Sequence, residues 1–134
     1  MYGFFYKTKL GKVLIVDDGQ GITKLDLVDD CQDKNEALDM IVKETSTIAE
    51  AYRQLNEYLE GKRTEFTIVL NPKGTEFQKK VWDALSKIPY GETRTYKQVA
   101  EAVGSPKGYR AVGMANHHNP ILVMIPCHRV IGSN

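Results

Sequence analysis

Near its C-terminal end the 134-residue chain reads Asn119-Pro120, then the apolar run Ile121 to Ile125, then Pro126-Cys127-His128-Arg129-Val130. A cysteine followed at once by a histidine places a nucleophile beside a potential base. The thiolate is the reactive form of cysteine, and a nearby base or cation favours it. His128 offers the base, and Arg129 offers a permanent cation two positions on. An isolated free cysteine is more often an inert buried hydrophobe; its neighbours are what lift Cys127 above that reading. Asn119, eight residues upstream, can orient the turn through its amide. Cys31 sits among Asp29, Asp30 and Asp33, whose negative field disfavours a thiolate, so it reads as a bystander. His117, His118, His128 and Cys127 lie close in sequence, but adjacent histidines do not form a ligand pair on one helix face. No metal site is expected, and His117 and His118 read as solvated residues at a helix end.

The elements that must position Cys127 change character along the chain. Ile121 to Ile125 reads as a buried strand feeding directly into Cys-His. Before it come three short helices. Thr75 with Gln78, and Thr95 with Gln98, are capping boxes that open the first two. Phe77, Val81, Trp82, Leu85 and Ile88 form one apolar stripe; Tyr96, Val99, Ala100 and Val103 form the next. Pro89-Tyr90-Gly91 and Gly104-Ser105-Pro106 end them. The third helix spans about Gly108 to Asn116. Two short helices joined by a tight Gly-containing turn are a helix-turn-helix pattern. The segment GYRAVGMAN is rich in small residues, which either let its backbone approach a nucleic-acid groove or merely pack against a neighbour.

The first half reads α+β. Phe4 to Lys9, Lys12 to Asp17 and Ile22 to Val28 are strand candidates, with Asp18-Gly19-Gln20-Gly21 as a turn. Asp33 with Glu36 suggests a helix start, continued by Leu38, Ile41 and Val42. Ser46 opens a clearer helix with Ile48, Tyr52, Leu55 and Leu59 on one stripe and Gly61 as its stop. Glu65 to Leu70 is a further strand candidate. Asn71-Pro72-Lys73-Gly74 is the best linker, giving domains 1–71 and 72–134.

Composition narrows the function classes. Hydrophobic content of 42% and charged content of 26% argue against wholesale disorder. No apolar run reaches the roughly 18 residues of a membrane span, and the N-terminus lacks a signal-peptide pattern. Two cysteines do not make a disulfide scaffold. A cytoplasmic protein is expected, nucleoid-associated, or nuclear in a eukaryote. The formal net charge of +1 hides a split. Residues 1–92 carry 13 basic and 16 acidic side chains, whereas residues 93–134 carry Arg94, Lys97, Lys107, Arg110 and Arg129 against Glu101 alone. That asymmetry points to an anionic partner for the second part.

Three motifs, TEFQKKVWDALSKIPYGETRTY, YRAVGMANHHNPI and IPCHRVIGSN, lie within residues 75–134. In these the chain resembles the C-terminal domain of the methylated-DNA–protein-cysteine methyltransferases, the alkylguanine-DNA alkyltransferases. The resemblance covers 60 of the 134 residues, and PCHRVI, its Cys127 eight residues after the Asn119 of Asn-Pro, with RAVG upstream, is highly specific. The first half fits that family's small α/β domain only weakly. The resemblance implies an α+β fold, with a small N-terminal domain of antiparallel strands plus helix before a mainly helical, winged-helix-like DNA-binding domain.

It also implies stoichiometric transfer of a methyl or alkyl group from O-6 of guanine, less well from O-4 of thymine, to Cys127 after base flipping. The implied partner is double-stranded DNA containing alkylated guanine, met by a monomer with no cofactor. By the same resemblance His128 deprotonates Cys127 through a water, and Tyr96 crowds the target phosphate and donates to the base. Arg110 enters the stack in place of the flipped base. Asn119 ties the helix-turn-helix to the Cys loop, and Lys97, Ser105 and Ser133 touch the DNA backbone. Outside the motif, Tyr96 would read as a core aromatic and Arg110 as a surface cation.

Family members continue past this point with a Gly/Tyr-containing pocket loop and a final helix, including a Glu that hydrogen-bonds the His. The chain is therefore expected to be C-terminally truncated, with an open pocket, an unsupported His128 and weak or no acceptor activity. The alternative is a non-catalytic alkyl-damage-binding or helix-turn-helix regulatory module. A Cys-His hydrolase would need oxyanion donors and an orienting carboxylate that the sequence near Cys127 does not offer.

Overall fold

A computed structural model describes residues 1–29 and 40–132. The chain divides into two compact units, Met1–Pro72 and Lys73–Asn134. The division falls inside the Asn71–Gly74 stretch.

In the first unit, turn chemistry sets strand register. β1 (Tyr2–Thr8) pairs antiparallel with β2 (Gly11–Asp17). Their tight turn is closed by Thr8 Oγ1, which donates to the Gly11 carbonyl at 2.8 Å and accepts from Leu10 N at 3.1 Å. β2 pairs antiparallel with β3 (Ile22–Leu27), with a register shift at Val16/Asp17. In that turn Asp17 accepts from Gly19 N at 2.7 Å, and Asp18 accepts from Gln20 N and Gly21 N. Asx side chains stabilise such turns because they take up backbone donors that no ladder reaches. Val13, Leu14, Ile15 and Val16 of β2 are all buried, so this strand is covered on both faces.

The fourth strand corrects the sequence reading. Ile41 and Val42 do not continue a helix; they form β4 (Ile41–Val42), parallel to β1, and the sheet order is β3-β2-β1-β4. Ile41 N donates to the Met1 carbonyl and Lys43 N to the Gly3 carbonyl, both at 3.0 Å. The open edge of β1 thus captures a segment whose helical spacing was too short to hold alone. The expected cap at Asp33 and Glu36, Leu38 and Cys31 lie outside the described residues.

Helix α1 (Ser46–Leu59) starts at Thr45, whose hydroxyl accepts from Ile48 N and donates to Asp17 Oδ2 at 2.9 Å. One cap therefore also ties the helix to β2. Ile48, Ala51 and Leu55 are fully buried, and each large side chain so removed from water contributes about 1.5–3 kcal/mol. Tyr52 stacks on Tyr6 of β1 with ring centroids 3.8 Å apart. Tyr6 donates its hydroxyl to Glu44; burial and then that carboxylate push its phenol well above the ordinary tyrosine pKa.

Glu65 to Leu70 is also not a strand. Only an isolated parallel bridge, Ile22 to Leu70, forms there. The backbone is pinned instead by the buried Gln54 amide, which accepts from Thr67 N at 2.9 Å and donates to Thr67 Oγ1 at 2.9 Å. A side-chain partner has replaced the ladder that the β-branched composition suggests.

The second unit is mainly helical. α2 (Glu76–Ser86) and α3 (Tyr96–Ala102) both open on complete capping boxes, Thr75/Gln78 and Thr95/Gln98. Val81, Trp82, Leu85, Val99 and Ala100 are buried along their stripes. Gly74 has no room for a side chain, because a Cβ there would lie 2.5 Å from the Trp82 ring. α3 ends in a Schellman motif: Ser105 N donates to the Ala100 carbonyl and Gly104 N to the Glu101 carbonyl, with Gly104 at φ +77°. That left-handed residue turns the chain into α4 (Tyr109–His117), completing the helix-turn-helix. Trp82 Nε1 donates to the Ala115 carbonyl at 2.9 Å and locks α4 onto α2. No helix among the described residues is long and apolar enough to cross a membrane.

Candidate active site and nucleic-acid interface

Cys127 opens a single 3-10 turn (Cys127–Arg129), not the end of a buried strand. Ile121 to Ile125 forms a cross-braced loop in its place. Asn119, 8% exposed, is the brace: its Oδ1 accepts from Ile121 N at 2.9 Å and its Nδ2 donates to the Ile125 carbonyl at 2.7 Å. These bonds occupy the groups a ladder would have used. Ile121, Met124 and Ile125 are buried as anchors.

Between Ile121 and Cys127 the chain makes two γ-turns. Met124 N donates to the Leu122 carbonyl at 2.7 Å across Val123, which has φ +69°. Cys127 N donates to the Ile125 carbonyl at 2.8 Å across Pro126, at φ −81° and ψ 67°. The second is the common inverse type; the first is the rare strained type, and a β-branched residue there costs about 1–3 kcal/mol. Such strain persists only where surrounding structure over-determines it, and the Asn119 brace does so.

The turn is fixed at its far end as well. Arg129 donates to the Ile88 carbonyl at 2.7 Å, and its guanidinium lies 5.7 Å from the Tyr90 ring. This cation is therefore tied to the end of α2 and not reserved for the thiol. After the turn, β6 (Val130–Ile131) pairs parallel with β5 (Arg94–Thr95), Arg94 opposite Val130. β5 runs directly into α3, so the ladder joins the chain just after Cys127 to the chain just before Tyr96.

Within this frame Cys127 is half-buried and His128 is exposed. Cys127 is a free thiol. Partial removal from water, and then the neighbouring Arg129 charge, hold the His128 imidazole below its ordinary pKa. It is thus neutral at pH 7, the state a general base requires. Tyr96 is half-buried on the first turn of α3, with Gly113 of α4 close to its ring. Lys97 is exposed one residue on, Ser105 is half-buried with its hydroxyl against Gly108, and Arg110 is exposed on α4. Ser133 lies outside the described residues. Lys97, Lys107 and Arg110 have no carboxylate partner among the described residues. His117 and His118 are exposed at the end of α4. No group of three metal-binding side chains converges among the described residues.

A groove of about 540 Å³ lies between α2 and α3, lined by Lys80, Lys87, Ile88, Arg94 and Val99 among others. Neither Cys127 nor His128 lines it, so its volume is separate from the Cys-His chemistry. Sequence patterning missed two features. Val123's strain has no sequence signal. Tyr109 and Met114, 50% and 59% exposed, stand out from a helix that reads as small-residue rich; their signal was that both fall outside the arc between Val112 and Ala115 on the helical wheel.

Comparison with known proteins covers both units. Residues 76–134 match the family described as 6-O-methylguanine DNA methyltransferase, DNA binding domain, and residues 1–72 match its ribonuclease-like domain. The chain is 45% identical over 134 residues to the methylated-DNA–protein-cysteine methyltransferase of Methanosarcina acetivorans, covering all of this chain and 85% of that one. It is 49% identical over 130 residues to the constitutive enzyme of that name from Bacillus subtilis, covering 96% and 79%. Among solved structures, the Mycobacterium tuberculosis OGT in complex with DNA superposes with a TM-score of 0.88 at 38% identity, covering 99% of this chain and 80% of that one.

Proposed function

The chain belongs to the 6-O-methylguanine DNA methyltransferase family, and we propose that it repairs DNA by moving an alkyl group from O-6 of guanine onto Cys127. Residues 1–72 serve as the family's N-terminal α/β domain and residues 73–134 as the DNA-binding and acceptor domain. The observation that carries the assignment of the acceptor is the Asn119-braced loop, which delivers a half-buried free thiol and an adjacent neutral imidazole beside a helix-turn-helix.

The chemistry follows from the substrate. The O-6 alkyl carbon lies within the base stack, so in-line attack requires the nucleotide to be extruded. His128 takes the Cys127 proton through a water. The sulfur then forms a bond to the alkyl carbon as the carbon–oxygen bond breaks, and its electron pair passes to guanine. Guanine leaves as the neutral base when Tyr96 donates a proton to the ring. The product thioether is stable, so each chain acts once. Arg110 fills the vacated space in the stack, and Lys97, Lys107 and Ser105 hold backbone phosphates. Among the described residues Lys97 and Lys107 have no carboxylate partner that a phosphate would need to displace.

Turnover counting tests this. With excess duplex containing O6-methylguanine, the expected result is one alkyl group per chain and then no further reaction. Tight binding without transfer would make the protein a damage-binding module, and repeated turnover on an ester would make it a hydrolase.

A further inference from the structure

Val112 and Ala115 face the interior of the second unit, and Trp82 grips the Ala115 carbonyl from that side. At about 100° per residue, Tyr109, Arg110 and Met114 fall on the outward half of α4. Tyr109 is 50% and Met114 59% exposed, and the Arg110 guanidinium lies 6.0 Å from the Tyr109 ring. Beside them the exposed Ala111 carries only a methyl group and Gly113 no side chain. A cation flanked by two protruding apolar side chains, on a helix otherwise able to approach closely, is poorly suited to open water. It suits a partly unstacked base step, where apolar wedges pack against faces that the duplex normally hides.

We propose that Tyr109 and Met114 form an apolar wedge that stabilises the opened DNA step on either side of Arg110. This rests on the reading that α4 faces DNA at the lesion. Arg110 occupies the vacated position, Tyr109 stacks on an adjoining base, and Met114 packs on sugar and base edge. The wedge adds affinity for the opened state only, since an intact duplex offers it no face.

The test uses the full chain and a duplex with 2-aminopurine next to O6-methylguanine. Replacing both residues (Tyr109→Ala with Met114→Ala) is expected to lower the transfer rate and the 2-aminopurine signal about tenfold. The salt dependence of binding to undamaged duplex stays unchanged, because no phosphate contact is lost. Tyr109→Phe with Met114→Leu is expected to restore both readouts, which a loss of helix structure would not predict. If the double alanine variant transfers at the wild-type rate while Arg110→Ala is slow, the wedge is wrong and the reading of α4 stands. If Arg110→Ala is also unimpaired, that reading fails and the wedge with it. A salt slope that falls in step with affinity would recast these residues as part of general backbone binding and overturn the proposal.

Discussion

Each unit of the molecule pins one loop with one buried side-chain amide. In the first, Gln54 on α1 holds Thr67 through both ends of its amide and also donates to Glu50 at 2.7 Å. In the second, Asn119 holds Ile121 and Ile125. The local physics is the same: a buried amide satisfies backbone groups that no strand reaches. The consequences differ. The Gln54 loop carries no reactive group, and Glu50 and Glu57 pair with Arg53 nearby, with Arg53's hydrogen bond holding the Glu50 carboxyl at about 2. The Asn119 loop contains the strained Val123 and ends at Cys127, and Lys97, Lys107 and Arg110 of its unit have no carboxylate partner among the described residues. The first unit pairs charges beside its loop, whereas the second, which pairs Lys87 with Asp83 and Arg94 with Glu92, leaves Lys97, Lys107 and Arg110 exposed around its helix-turn-helix.

The sharpest way to break this comparison is to remove both braces. Gln54→Ala and Asn119→Ala should each destabilise by about 1–3 kcal/mol, the first by removing the buried amide that holds Thr67 and the second by leaving the buried Ile121 N–H unpaired. Only Asn119→Ala should also slow alkyl transfer, by at least about tenfold, since a 1 Å displacement of a reacting group is costly. Chemical denaturation beside single-turnover kinetics separates the two; equal kinetic losses would erase the distinction between the loops. A smaller effect on transfer is expected for Trp82→Phe. It loses part of the indole's packing and leaves the Ala115 carbonyl unpaired, a similar loss of about 1–3 kcal/mol in stability, and by loosening α4 it should weaken DNA binding. Smaller again is the pH response. Because His128 sits below its ordinary value, transfer should persist below the usual histidine midpoint of about 6.5 and fall only as His128 takes up a proton. Arg129→Gln should move that acid limb upward, by removing the neighbouring charge. A limb at or above the ordinary midpoint in the unaltered protein would contradict the description of the site.

How much of this was legible in the sequence depends on where each element finds its partners. Thr75/Gln78 and Thr95/Gln98 could be read directly, because a capping box is complete within four residues. The β1–β2–β3 hairpins were legible for the same reason, since Asp17, Asp18 and Gly11 close their own turns. The three corrections all concern partners distant in sequence or of the wrong kind. Ile41 and Val42 became β4 because the edge of β1 lay open to them. Thr67 met Gln54 instead of a strand, and Ile121 and Ile125 met Asn119. At the site, Cys127, His128 and Asn119 declared themselves by spacing. That Arg129 serves the end of α2, and that Tyr109 and Met114 stand exposed beside Arg110, needed the packed helices.

The central claim is that Cys127 is the alkyl acceptor. It is tested most directly by intact-protein mass spectrometry, with peptide mapping, after incubation with a duplex containing O6-methylguanine. The account predicts a gain of one methyl group per chain, located on Cys127 and absent from Cys127→Ala, which still binds the duplex. A gain mapped to any other residue, or an unchanged mass with the lesion still bound, would contradict it.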